Sequence, residues 1–262
     1  MNAVILCRRE YAVQHYVDCN TSSAAPSTAA ALRDLAVVVA GGGRGGPLLR
    51  KILDVTAGRI LAQRALREPM RGIGWRPRAA GWFTREVAPG FLGVVAVGSA
   101  SAHSMPGTAR ITLHVGVRDE VVEPLASQLC GLTDSGYQQR TATVGIGYLL
   151  PDSSWREWEI TSHNAGPLAH DLASLIPAHA EPYLRRLASD HAALLDAATS
   201  SPSSSQMIGV CRGAVLLARY SGRDHAIVFL RDRMAGLGTR TDAAAELERQ
   251  AAVRVSEWLT AA

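Results

Sequence analysis

Apolar positions recur along this chain in two periods, and the switches between them lay out its elements. From Pro47, which suits the first turn of a helix, Leu48, Ile52, Val55, Ile60, Leu61 and Leu66 follow at helical spacing to about Met70, where Gly72 and Gly74 end the run. The period then falls to two. Trp82 to Glu86, Gly93 to Ser99 and Arg110 to Val117 read as strands joined by Pro-Gly turns at 89–90 and 106–107, the pattern of an antiparallel meander. Asp119 is placed to cap a helix whose apolar face is Val121, Val122, Leu125 and Leu129, closing at Gly131. Thr141 to Leu150 and Ser154 to Ile160 resume the strand pattern around Pro151-Asp152 and predict a hairpin, with Trp155 and Trp158 on opposite faces.

Beyond Asn164 the chain reads as helical. Leu168, Leu172, Leu175 and Ile176 form a stripe that Tyr183, Leu184 and Leu187 continue after Pro177 and Pro182 interrupt the axis, and Asp190 caps a short helix ending near Ala198. Three helix-length segments come next, at about 207–220, 223–235 and 241–260, separated by Ser221-Gly222 and Gly236-Leu237-Gly238. The expected fold class is α+β: an antiparallel sheet of about five strands packed with helices, plus a C-terminal helical appendage. The boundaries run as a leader of low information, weakly docked or disordered, over 1–46; an α+β domain over 47–199; a Ser/Pro linker over 200–206; and the appendage over 207–262.

Composition adds little to this picture. At 262 residues, 47% hydrophobic and 19% charged, the chain can bury a core, and it has no uncharged apolar run long enough to span a membrane. No basic segment precedes an apolar stretch at the start, so no export signal is expected and a cytoplasmic protein is. The four cysteines, Cys7, Cys19, Cys130 and Cys211, are scattered without any metal-site or disulfide-framework spacing, which predicts reduced thiols.

Charge is unevenly spread along the chain. Arg44 to Arg85 holds ten basic residues against Asp54 and Glu68, so the formal +4 is a basic stretch set on an acidic remainder. Within it Arg71, Arg76, Arg78 and Arg85 alternate with Trp75, Trp82 and Phe83. That alternation suits an acidic protein partner, and phosphate contacts with base stacking are its nucleic-acid alternative. Arg71, Trp75, Arg76, Arg78, Trp82 and Arg85 are the candidate partner-binding residues, beside the plainer reading of a solvated hairpin with rings covered by arginine stems.

Candidate chemistry is thinner. Gly41-Gly42-Gly43-Arg44-Gly45-Gly46 has the form of a dinucleotide loop after an apolar run, but no acidic residue ends a second strand about 20 positions on, and a glycine linker explains it. Gly209-Val210-Cys211-Arg212-Gly213 has the form of a nucleophile elbow, yet only Asp224-His225 come after it, too close to complete a triad; a buried cysteine explains it better. His163, His170, His179 and His191 lack metal-ligand spacing. Glu157 and Glu159 share a strand face and could act as paired carboxylates, or be a solvated face. No cofactor, metal or catalytic set is expected.

The helix ending Met70-Arg71-Gly72-Ile73-Gly74-Trp75, the hairpin through Trp82-Phe83-Thr84-Arg85, the strand Arg110 to Val115, Trp155 to Ile160 and the stretch Ile176 to Leu195 together resemble the bacterial domain-of-unknown-function family numbered 4304. The resemblance covers about residues 47 to 260 and implies no catalytic residues. It departs in the Gly-rich N-terminal extension and in Trp-Arg-Glu-Trp, where a closer aromatic pair is common. Likeness of this general kind to immunity proteins of toxin systems implies a non-catalytic protein-binding role, with an enzyme site between sheet and helices as the alternative.

Overall fold

The computed structural model describes residues 47–100, 108–199 and 207–261. The glycine run at 41–46, Cys7, Cys19, the turn at 106–107 and the linker at 200–206 lie outside them. Contacts divide the chain after Arg50, and Lys51–Ala262 form one compact unit.

Helix α1 (Pro47–Gly72) runs into β1 (Arg76–Pro77), a short 3-10 turn (Ala79–Gly81), β2 (Trp82–Ala88), β3 (Phe91–Ala100) and β4 (Ala109–Asp119). Successive strands pair antiparallel, so the meander expected from the Pro-Gly turn and the alternating pattern is present. The Asp119 carboxylate accepts the backbone N–H groups of Val121 (2.8 Å) and Val122 (3.1 Å) and so starts α2 (Val122–Leu129) as expected.

The expected hairpin at Pro151 is corrected. β5 (Ala142–Gly145) pairs with β4 at His114–Val117, while β6 (Trp158–Ile160) pairs with β4 at Ala109–Ile111. Both lie on the same edge of β4, one after the other, and the chain between them turns through a 3-10 helix at Ile146–Leu149. At Gly147 the loop passes so close to itself that an added Cβ would sit 2.9 Å from the Arg156 nitrogen. The alternating pattern specified two strands but not their partner, and β4 is long enough to hold both.

Helices α3 (Ala165–Leu175) and α4 (Glu181–Ser189) are joined by a π turn over Ile176–Ala180 that holds Pro177, while Pro182 sits in the first turn of α4, so the helical path widens there instead of breaking. α5 (His191–Thr199) begins where Asp190 accepts the Ala193 N–H. The last three helices are α6 (Met207–Tyr220), α7 (Arg223–Leu237) and α8 (Ala243–Ala261).

Strand parity sorts the sheet into two faces. Phe83, Val95, Ile111, Leu113, Val115 and Val117 pack with Leu66 and Met70 of α1, Leu172 of α3 and Leu184 of α4. Each such side chain stabilises the fold by roughly 1.5–3 kcal/mol. A second apolar cluster joins α2 to the C-terminal helices through Ala126, Val210, Ala226, Val255 and Leu259. α6 belongs to both, since its Val215 and Leu216 lie in the sheet core.

Candidate binding face

The opposite sheet face carries the row Trp82, Ala96, His114 and Gly145, one residue from each of four neighbouring strands. Trp82 reaches it because Ala80 (φ 54°) and Gly81 (φ 78°) both take the left-handed conformation and fold the chain back, so that Arg78 N–H donates to Trp82 O (2.7 Å). Gly81 suits that position doubly, because a side chain there would collide with Gln63.

Around Trp82 the guanidinium groups lie over rings. Arg140 stands 4.9 Å from the Trp82 ring centre and Arg78 stands 5.5 Å from that of Tyr137. The two rings meet edge to face at 6.1 Å. Arg78 is steadied by its Nε donating to Thr84 Oγ1 (2.9 Å). Arg140 has room because residue 116 is glycine: an added Cβ there would lie 2.9 Å from Arg140 Cδ. Each such cation–π contact is worth about 0.5–1 kcal/mol when exposed and more when desolvated.

Residues 131–141, which carry Tyr137 and Arg140, have little regular structure, so side chains fix them. Arg118, 1% exposed, donates to Asp134 Oδ2 (2.7 Å), Gln139 O (3.3 Å) and Glu120 Oε1 (3.2 Å). Ser127 Oγ donates to Gln139 Oε1 (2.8 Å). On the far side of the row, the Trp155 ring leans on His114 (5.9 Å) and Tyr148 (6.4 Å), and both Trp155 and Tyr148 are exposed.

The six sequence candidates divide. Arg76 and Arg78 sit at the sheet edge beside Trp82, and Arg76 is exposed. Arg71 is exposed one turn from its ion-pair partner Glu68 (2.5 Å). Trp75 and Arg85 are turned the other way. Trp75, 1% exposed, donates its Nε1–H to Glu181 Oε1 (3.2 Å), and Arg85 Nη1 donates to the same oxygen (2.6 Å) and to Ile73 O (3.2 Å). Arg185 holds the other Glu181 oxygen (3.2 Å). Trp75 ties the α1–β1 turn to α4 and Arg85 ties β2 to it, so as surface candidates they are corrected: Arg85 shares the face of Phe83, not that of Trp82. Tyr137 and Arg140 join the face from a segment whose sequence has no periodic signal.

The catalytic candidates fare differently. Arg110 stands between Glu157 (3.6 Å) and Glu159 (3.4 Å) and ion-pairs with both carboxylates, as a surface charge cluster does. Gly209 to Gly213 lie within α6, not at a strand-to-helix turn, and Cys211 is wholly buried, so the elbow reading fails. His191 stacks on Tyr220 at 3.9 Å. Among the described residues no three His, Cys, Asp or Glu side chains group as metal ligands. The space between sheet and helices, where an enzyme cleft would lie, holds the apolar core, with the ion-paired Glu181 at its margin. Two open clefts, of about 510 and 290 Å³, lie between α7 and α8 instead; the first is lined by Arg233, Arg240 and Glu248, the second by Ile227, Met234 and Leu259.

A buried polar junction occupies the end of β4. Glu123, fully buried, takes two hydrogen bonds from Arg212 (2.6 and 2.9 Å) and one from Thr141 Oγ1 (2.9 Å), whose oxygen accepts the Asp119 N–H (2.8 Å). Tyr220 OH donates to Asp119 Oδ2 (2.5 Å). Burial, then that hydrogen bond to Asp119, pushes the Tyr220 hydroxyl above its usual pKa. Cys130 and Cys211 form a disulfide here, which corrects the expectation of reduced thiols. The pairing joins the end of α2 to α6 across 81 positions, a proximity that only the fold creates.

No protein-family model, curated protein or solved structure matches the chain. The family resemblance therefore rests on the sequence motifs alone.

Proposed function

We propose that this chain is a non-catalytic binding module that takes an acidic protein surface on the face formed by Arg76, Arg78, Trp82, Tyr137 and Arg140. The observation that carries the reading is the pair of guanidinium groups held over Tyr137 and Trp82 at the sheet edge. Arginines held against rings lose less freedom on binding and present donors suited to carboxylates. A protein partner is favoured over nucleic acid because each ring already has an arginine over one face, which removes that face from base stacking. An immunity-like role agrees with this reading and with the family resemblance. No helix of the described residues is long and apolar enough to cross a membrane. The expected cytoplasmic residence meets one opposing observation, the Cys130–Cys211 disulfide, a bond that persists mainly in oxidising compartments.

The test uses the full chain with a fluorescent poly-glutamate peptide and a single-stranded oligonucleotide of equal charge, titrated at low and moderate salt. Poly-glutamate should bind, and Arg76→Ala combined with Arg78→Ala should weaken it about tenfold, near 1.4 kcal/mol. Absence of binding, or binding unaffected by the substitutions, would sink the proposal. Preference for the oligonucleotide with a steep salt dependence would transfer the face to nucleic acid.

A further inference from the structure

Around the apolar cluster that joins them, α2 and the C-terminal helices are fastened in three further, chemically different ways. Cys130, at the C-terminal end of α2, is bonded to Cys211 in the second turn of α6, with Cα atoms 6.4 Å apart. Arg212, the next residue in α6, forms its two-pronged ion pair with Glu123 of α2. Arg254 of α8 donates to the carbonyl oxygens of Leu129 (2.5 Å) and Cys130 (3.3 Å), satisfying acceptors that the end of α2 leaves open.

Two of these fastenings are reversible contacts and the third is a covalent bond in parallel with them. With the bond in place, separating α6 from α2 cannot carry the helices away, because an 81-residue loop stays closed. Without it, the ion pair, the Arg254 contacts and the apolar cluster that surrounds them are all reversible and can open together. Cys130 and Cys211 are 4% and 0% exposed, so a dissolved thiol reaches the sulfurs only when the junction opens locally. The bond therefore guards the motion that would expose it.

We propose that Cys130 and Cys211 form a redox latch: oxidised, it fixes α6–α8 on α2 and the sheet; reduced, it lets those helices open as a unit. Closure proceeds by thiol–disulfide exchange with a small-molecule disulfide. The thiolate of one cysteine attacks it, forming a mixed disulfide and expelling one small thiol. The second cysteine's thiolate then attacks the protein sulfur and expels the other. Two protein thiols are oxidised as one small disulfide becomes two thiols, and no other electron acceptor enters. This inference is independent of the binding reading.

The full chain is compared after treatment with oxidised glutathione and after reduction with a phosphine. Peptide mapping without reductant should recover the Cys130 and Cys211 peptides cross-linked in the first sample and separate in the second. Amide exchange in α6–α8 should be at least about tenfold faster in the reduced protein, with β3 and β4 unchanged. Cys130→Ser and Cys211→Ser should each show the fast pattern and no response to the phosphine. The latch is overturned if oxidation yields no cross-linked peptide, if reduction leaves α6–α8 unchanged, or if it speeds exchange evenly through sheet and helices. Should the serine variants not fold, the comparison of oxidised and reduced wild-type protein still decides, since it needs no substitution.

Discussion

Arg212 and Glu123 show what a single buried pair asks of its neighbours. Both side chains are withdrawn from water, and the pair is satisfied by two mutual hydrogen bonds and by Thr141. Desolvation offsets most of what such a pair gains, but removing one partner strands the other charge. Arg212→Ala is therefore expected to destabilise the protein by about 3–5 kcal/mol, and Arg212→Met together with Glu123→Gln by much less, as read from urea unfolding midpoints. Equal losses in the two variants would mean the pair is not coupled. Tyr220 and Tyr183 give a pH signature. Burial raises both hydroxyl pKa values above 10.0, so the folded state holds protons that the unfolded state releases. Their contribution is complete below about pH 10 and is lost as pH rises through the folded values. The melting temperature should fall from about pH 9 to about pH 11, and Tyr220→Phe should flatten that fall; a melting temperature unchanged across the range would count against the burial of both rings.

At the scale of elements, the segment 131–141 is the part that side-chain bonding holds most visibly. Its tie to the sheet is Asp134 on the buried Arg118. Asp134→Ala should cost about 1–2 kcal/mol, raise amide exchange over 131–139 and weaken poly-glutamate binding, because Tyr137 and Arg140 lose their fixed places over the sheet. Binding unchanged alongside faster exchange would separate the segment from the face. The same elements show which features a sequence makes legible. β2, β3 and β4 could be read because alternation is a local property and their order follows from short connections. α1 and α6–α8 could be read from the helical period. β5 and β6 were legible as strands but not in their pairing, because alternation fixes which side chains share a face and says nothing about which strand lies alongside. Trp75, Trp82 and Arg85 read as one surface from charge and ring content alone, but strand parity divides the strand residues: Arg85 falls with Phe83 against the helices, and Trp82 falls opposite. Tyr137 and Arg140 had no periodic signal at all, and the Cys130–Cys211 pairing needed α2 and α6 to be packed before the two sulfurs could meet.

For the whole of Lys51–Ala262, the division at the serine linker marks a change in sequence texture more than a seam in packing. Val215 and Leu216 of α6 are buried in the sheet core, and Trp258 of α8 packs against both that core and the C-terminal cluster. α2 is covered on one side by β4 and on the other by α6 and α8, with Asp119 and Tyr220 bridging the same boundary. Two halves that share core residues lose their separate stability, so the oxidised chain should melt in one calorimetric transition whose van't Hoff and calorimetric enthalpies agree. A fragment ending before α6 would leave Ala126, Cys130 and part of the sheet core uncovered, and should keep the sheet but melt well below the temperature of the full chain by circular dichroism. If that fragment instead melts cooperatively near the temperature of the full chain, the C-terminal helices are an appendage in the energetic sense as well as in sequence, and the buried residues of α6 contribute little to the sheet they touch.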